Sequence, residues 1–275
     1  VSTPSLPRLV ARAAVVVLVA LAWASLFWFV PPQRALPFVG DAAAAVTAAI
    51  AAATGWERPW LWVAKGWLMG GVAVVVVAAL HGRRRTGLAL PSRAGLRLLG
   101  AALLVALPFQ IALGLDPAVA RYYAVFYGAR GAEWIVANGL VMLVEHMFIE
   151  GAVLAMALPA GLPEVDERSR RGLFGWRALG ALGIGRLVEP PDAPAASGPR
   201  TFLAMPVEAW PAIVGQGIVF GCVHFTKAPS ELVTAFPGGV AVGWLTVRTG
   251  SVWPAATLHL VTGAVVLLTL TLARG

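Results

Sequence analysis

The chain has 275 residues, of which 59% are hydrophobic and 12% charged, with a mean hydropathy of +0.80 and a net charge of +8. A soluble domain carries about 45–50% apolar and about 25% charged residues, so the composition excludes an ordinary soluble fold and points to a polytopic membrane protein. The positive charge has no aromatic–basic interleaving beside it, which argues against nucleic acid as a partner and for arginines that set membrane topology.

The length suits six to eight helices of about 20 residues each. Arg8 and Arg12 precede the first apolar run, Ala13 to Val30. It outlasts the h-region of a signal peptide and is read as a retained helix, ended by Pro31 and Pro32. The Ala-rich stretch Asp41 to Thr54 reads as a short surface helix. Trp60 to Leu80 is the second span, stopped by His81-Gly82-Arg83-Arg84-Arg85. Leu96 to Leu115 is the third. Tyr122, Tyr123, Tyr127 and Trp134 then mark an interfacial belt. The fourth span is Trp134 to Leu158. A polar connection, 159–208, includes a basic amphipathic piece from Leu173 to Leu187. The last three spans are Trp210 to Phe225, Leu232 to Val247 and Val252 to Leu272.

This predicts an all-α, polytopic transmembrane helical bundle of about seven spans. Residues 1–133 form an N-terminal set of helices, and 134–272 form a core that carries the chemistry. With the N-terminus in the cytoplasm, fourteen basic residues fall on the inner side and six on the outer, as the positive-inside rule requires. Single Cys222 excludes an internal disulfide and reads as a small hydrophobe.

The ionisable residues inside the apolar runs are the functional signal, because such groups are costly in a bilayer. Glu145, His146 and Glu150 fall in the fourth span, His224 in the fifth and His259 in the seventh. Asn138 lies seven residues before Glu145 and shares its helix face. Phe220 and His224 are four apart, with Gln216 a turn earlier, and Thr262 and Gly263 follow His259 by about one turn. These residue types fit hydrolysis. A carboxylate takes a proton from water, a histidine orients that water or shuttles the proton, and a further donor stabilises an oxyanion. The structural reading stands beside this one: a membrane histidine or glutamate also serves as a hydrogen-bonding tie between helices. Glu150, about 140° around the helix from Glu145, is expected to face another neighbour such as an arginine, or to form a linked pair with His146 across neighbouring helices. His146 is expected to pair with Glu145 or to face another helix. His81, beside three arginines, reads as interfacial. Gly215, Gly217, Gly221, Gly238, Gly239 and Gly243 read as close-packing positions. HExxH, GxSxG and paired membrane aspartates are absent from the sequence. No metal ligand or cofactor is assigned, and a His₂Glu zinc site stays open.

The motifs resemble the CPBP family of intramembrane proteases (CAAX proteases and bacteriocin-processing enzymes), whose pattern is EExxxR, then FxxxH, then HxxxN or HxxxD. Glu145-His146-Met147-Phe148-Ile149-Glu150-Gly151 stands at the first motif, Phe220-Gly221-Cys222-Val223-His224 matches the second, and His259-Leu260-Val261-Thr262-Gly263 matches the third at its histidine. Trp253-Pro254-Ala255 before the last histidine is also similar to the family. His146 replaces the second glutamate, Glu150 the arginine and Gly263 the final amide or acid. The altered first motif is similar to a divergent branch, the myxosortase-like enzymes.

The resemblance implies a glutamic-type intramembrane endopeptidase, in a family sometimes labelled metalloprotease. Glu145 would activate water with His224, and His259 would hold the oxyanion. Thr262 or a backbone donor would stand in for the missing amide, and His146, Glu150, Asn138 and Phe220 would support. The implied partner is a membrane-anchored or C-terminally tagged protein, cut near its C-terminal end or anchor, in the inner membrane of a bacterium. Two alternatives stay open: an inactive member acting as a scaffold or bacteriocin-immunity protein, and a small transporter or proton relay. One tension is visible. The span limits put His224 near the outer surface and His259 nearer the cytoplasm, a mismatch of about 10 Å or more. Tilt, or a re-entrant segment from Pro229 to Pro237, would have to absorb it.

Overall fold

A computed structural model describes residues 5–28, 63–127, 131–159 and 201–273 apart from single positions, together with scattered positions between 41 and 52. Of the polar connection, Pro159, Leu162 and most of 201–208 are described, and its amphipathic piece, Leu173 to Leu187, lies outside the described residues. The described positions between 41 and 52 are helical and exposed.

The architecture is all-α. Helix α1 spans Leu6–Trp28. A π-helical turn, Trp67–Gly71, leads into α2, Val72–His81. Helix α3 is Arg93–Gly114 and α4 is Pro117–Tyr127. Helix α5, Gly131–His146, runs into a π-helical segment, Met147–Val153, and ends as α6, Leu154–Ala157. A two-residue pairing of β1, Thr201–Phe202, with β2, Met205–Pro206, precedes α7, Trp210–Cys222. Helix α8 is Pro229–Thr249 and α9 is Trp253–Leu272.

Local chemistry explains the ends. Gly82 takes φ +79° and its N–H bonds Ala78 O at 2.7 Å, which stops α2 before the arginines. The Ser92 hydroxyl accepts from Gly95 N and caps α3. Pro229 opens α8 where a missing N–H costs nothing, and left-handed Gly250 closes it. Within the described residues, the apolar runs read from the sequence are helical. Four helical stretches among the described residues are long and apolar enough to cross a membrane: Leu6–Ser25, Arg93–Gly114, Val136–Ala157 and Trp253–Leu272. Val72–His81 and Val207–Cys222 are apolar but shorter. Helix α3 exposes Leu104, Val105 and Phe109, and α2 exposes Val75 and Leu80, faces that only lipid solvates without penalty. The protein is an integral membrane protein.

The N-terminal and C-terminal helices interleave in one bundle. Helix α1 lies against α7, and α3 against α9. Val17, Ala20 and Ala24 of α1 share a core with Ile149, Val153, Val219 and Phe220. The closest pairing is α7 with α8. A Cβ on Gly217 would come within 2.6 Å of Val240, and one on Gly239 within 2.8 Å of Phe220. Gly215, Gly221 and Gly243 are likewise close-approach positions, against Val17, Phe236 and the Gln216 side chain. Gly238 is not; nothing lies within 4 Å of it, and it borders a cavity. Fully buried Gln216 donates its amide to Gly239 O across the same seam.

Three further expectations change. The segment from Pro229 to Pro237 is not re-entrant; it forms the first turns of continuous α8, with Pro237 inside. The tyrosine segment is a helix, α4, and Tyr123 donates to Glu231 at 2.9 Å rather than serving only as an interfacial anchor. The expected depth mismatch is not seen: His224, buried in the turn after α7, and His259 of α9 meet with ring centroids 6.1 Å apart.

Candidate active site

Three helices bring the histidines together. The Phe-x-x-x-His spacing on α7 stacks Phe220 and His224, with ring centroids 4.7 Å apart. Phe220 also touches His259 of α9 at 5.4 Å and His146 of α5 at 5.8 Å, so it is the apolar centre of a three-histidine cluster. His224 and His259 are 6.1 Å apart. The His224 Nδ1 bonds Phe220 O at 2.8 Å. A carbonyl only accepts, so Nδ1 carries a proton and the neutral ring keeps Nε2 as an acceptor.

His146 joins the cluster in place of a carboxylate. Its Nδ1 lies 2.7 Å from Glu150 Oε2 and its Nε2 lies 2.7 Å from His259 Nδ1. Both His146 and Glu150 are fully buried. Glu150 thus faces His146 of its own helix, one turn back, and not the arginine expected. Glu150 lies in the π-helical segment that starts immediately after His146, a widened turn of a kind frequent at functional sites.

His224, His259, Phe220 and Thr262 line one cavity of about 190 Å³. Tyr123 and Glu231 form part of its polar rim, and Gly263 and Met142 its wall. The Thr262 hydroxyl donates to His259 O at 3.1 Å, so its proton is held by its own helix. A Cβ on Gly263 would lie 3.2 Å from the Met142 methyl, so methionine fills the side where the family motif carries an amide or acid. Asn138 donates to Met142 sulfur at 3.5 Å.

Glu145 is 8% exposed and lines a different, smaller cavity of about 10 Å³ with Trp23, Ala24, Gly70, Phe148 and Val223. Its Oε1 and the Trp23 Nε1 have no hydrogen-bond partner among the described residues. The structure thus gathers His146, Glu150, Phe220, His224 and His259, and sets Glu145 on a neighbouring face of the same helix. Among the described residues no group of three or more His, Cys, Asp or Glu side chains is arranged to hold a metal.

Residues 196–265 match the family model Rce1-like, Type II CAAX prenyl endopeptidase Rce1-like. The CPBP resemblance read from the motifs holds over this stretch. It contains α7, α8 and the first turns of α9, with Phe220, His224 and His259 inside it and Glu145, His146 and Glu150 outside it. The matched stretch is thus similar to a membrane protease of the CAAX type, and the apolar helices agree with a place in the bilayer. Among curated proteins and among solved structures, no match to this chain was found.

Sequence reasoning missed Glu231 at the rim of this cavity. The amino group of Lys227, one of the six outer basic residues, pairs with it at 2.7 Å. Glu231 is itself 9% exposed and accepts from Tyr123. The i,i+4 spacing of Lys227 and Glu231 was the available signal.

Proposed function

We propose that the protein is an intramembrane endopeptidase that cuts a membrane-anchored or C-terminally tagged protein near its C-terminal end or anchor. The observation that carries this reading is the pair of imidazoles, His224 and His259, held 6.1 Å apart on one cavity by two motif-bearing helices. In this reading His224 Nε2 accepts a hydrogen bond from the attacking water and orients it. His259 lies across the cavity, where an oxyanion would need a donor. Glu145 is the base by its place in the first motif. Val223, which borders its cavity, adjoins His224 in the chain. Burial of such a carboxylate in an apolar surrounding suits a group that takes up a proton.

The bundle then crosses the bilayer seven times with its N-terminus in the cytoplasm. The contacts between Arg12 and Met156 O, Leu162 N and Arg85 O, and Ser251 and Ala89 O support this, since they draw Arg12, the Arg83–Arg85 turn and Arg248 toward one end. Residues 134–272 act as the catalytic core, and α1 and α3 close it from outside.

The test compares the C-terminal peptides of membrane and envelope proteins, by mass spectrometry, in cells carrying the wild-type protein or His224→Ala at equal abundance. New C-termini that appear only with the wild type are expected. Identical peptide sets would overturn the reading.

A further inference from the structure

The buried chain Glu150–His146–His259 has a consequence for the proton on His259. Glu150 and His146 are both fully buried, and their bond at 2.7 Å is the one hydrogen bond of Glu150 among the described residues. A buried pair is far cheaper when its charges sum to zero than when it holds a bare carboxylate. Three proton placements satisfy that condition, and one of them, a proton on Glu150 Oε1 with His146 Nδ1–H donating to Oε2, leaves a buried O–H with no acceptor among the described residues; two remain. Either Glu150 is ionised and His146 is an imidazolium, or the carboxyl is protonated and donates to His146 Nδ1. In both, His146 Nε2 carries a hydrogen. That nitrogen lies 2.7 Å from His259 Nδ1, which must then accept. A neutral imidazole has one N–H, so His259 carries it on Nε2.

We propose that Glu150 and His146 are positioning residues that hold His259 as an Nε2–H donor toward the cavity, where it supplies the oxyanion contact that the chain lacks at Gly263. His224, tied to Phe220 O, presents the opposite tautomer, so one wall of the cavity accepts and the other donates. This rests on the hydrolytic reading above for its purpose, but not for its geometry. It also explains why the changes at 146 and 150 occur together: a carboxylate and its partner have traded places along one helix turn.

The experiment is ¹⁵N NMR of histidine-labelled protein in detergent micelles, with His259→Gln and His224→Gln used to assign the rings. The expected result is a protonated Nε2 and unprotonated Nδ1 at His259, the reverse at His224, and a protonated Nε2 at His146. A His259 ring protonated at Nδ1 would overturn the proposal. The double variant His146→Phe with Glu150→Leu replaces the pair by an apolar one and is expected to fold, as such exchanges are often neutral in stability. In it the His259 Nδ1 signal should lose its hydrogen-bond shift, and kcat should fall about 10–100-fold with KM little changed, as when the partner that fixes a functional histidine is removed. Unchanged His259 signals in the folded double variant would also overturn the proposal. Correct tautomers in a protein that releases no new C-termini would instead refute the hydrolytic reading and leave the positioning of His259 intact.

Discussion

Glu145 and Glu150 stand five residues apart on one continuous helical run, and both are buried, yet their surroundings differ in kind. Glu150 has a hydrogen-bonded histidine at 2.7 Å and, through it, a second histidine that reaches the cavity. Each carboxylate leaves its Oε1 without a partner among the described residues, but Glu145 has no histidine bonded to its other oxygen and lies in a small cavity walled by Trp23, Phe148 and Val223. Burial alone therefore does not tell what a membrane carboxylate does. A paired group serves geometry and electroneutrality, whereas an unpaired one keeps its capacity to bind or take a proton.

The strongest way to break this contrast is to remove each carboxylate in turn. Glu145→Gln is expected to cut hydrolysis by about 10²–10⁴-fold, the range for losing a general base, while the protein accumulates normally in the membrane. Full cleavage activity in Glu145→Gln would transfer the base role to the histidine cluster. Glu150→Leu alone is expected to act on stability instead. Breaking one half of a buried pair costs about 3–5 kcal/mol, so the melting temperature in detergent should drop sharply, and restoring an apolar partner with His146→Phe should recover most of it. An unchanged melting temperature in Glu150→Leu would show that the two glutamates are energetically alike.

A smaller effect separates packing from chemistry. Gly217→Ala places a methyl 2.6 Å from Val240, at the seam that holds Phe220 and His224 in place. Overpacking of this kind costs about 1–3 kcal/mol. Both thermal stability and cleavage should decline together, unlike either carboxylate variant.

The smallest effect comes from a carboxylate at the surface. Asp116 lies between α3 and α4, and the Ser230 hydroxyl, then the Ala118 N–H, hold its pKa below the ordinary value. A depressed carboxylate contributes stability above its unfolded pKa of about 3.9 and loses it as pH falls through the folded value. Asp116→Asn should therefore change the melting temperature slightly at pH 7 and not at all well below pH 3. A large change at pH 7 would place Asp116 with the buried groups.

Much of this architecture is legible without coordinates. Apolar runs of membrane length become helices because every backbone group must be satisfied within the segment. Thus the stretches around α1, α3, α5 and α9 emerge where hydropathy puts them. Gly82 and Pro229 mark ends because their backbones leave few other choices. Phe220 and His224 meet because four residues make about one turn. The candidate residues are legible too, since costly groups in apolar runs can be counted from the chain alone. Their partners are not. That Glu150 bonds His146, that His146 reaches His259 and that Lys227 pairs with Glu231 depends on helix length, rotation and depth. A short α7 ends where His224 can turn into the bundle, and a π-helical turn after His146 changes the phase of everything that follows. Helix formation obeys local rules, which a sequence carries in full. Which side chains meet across helices is a property of how several such rods pack at once, and only the tertiary structure decides it.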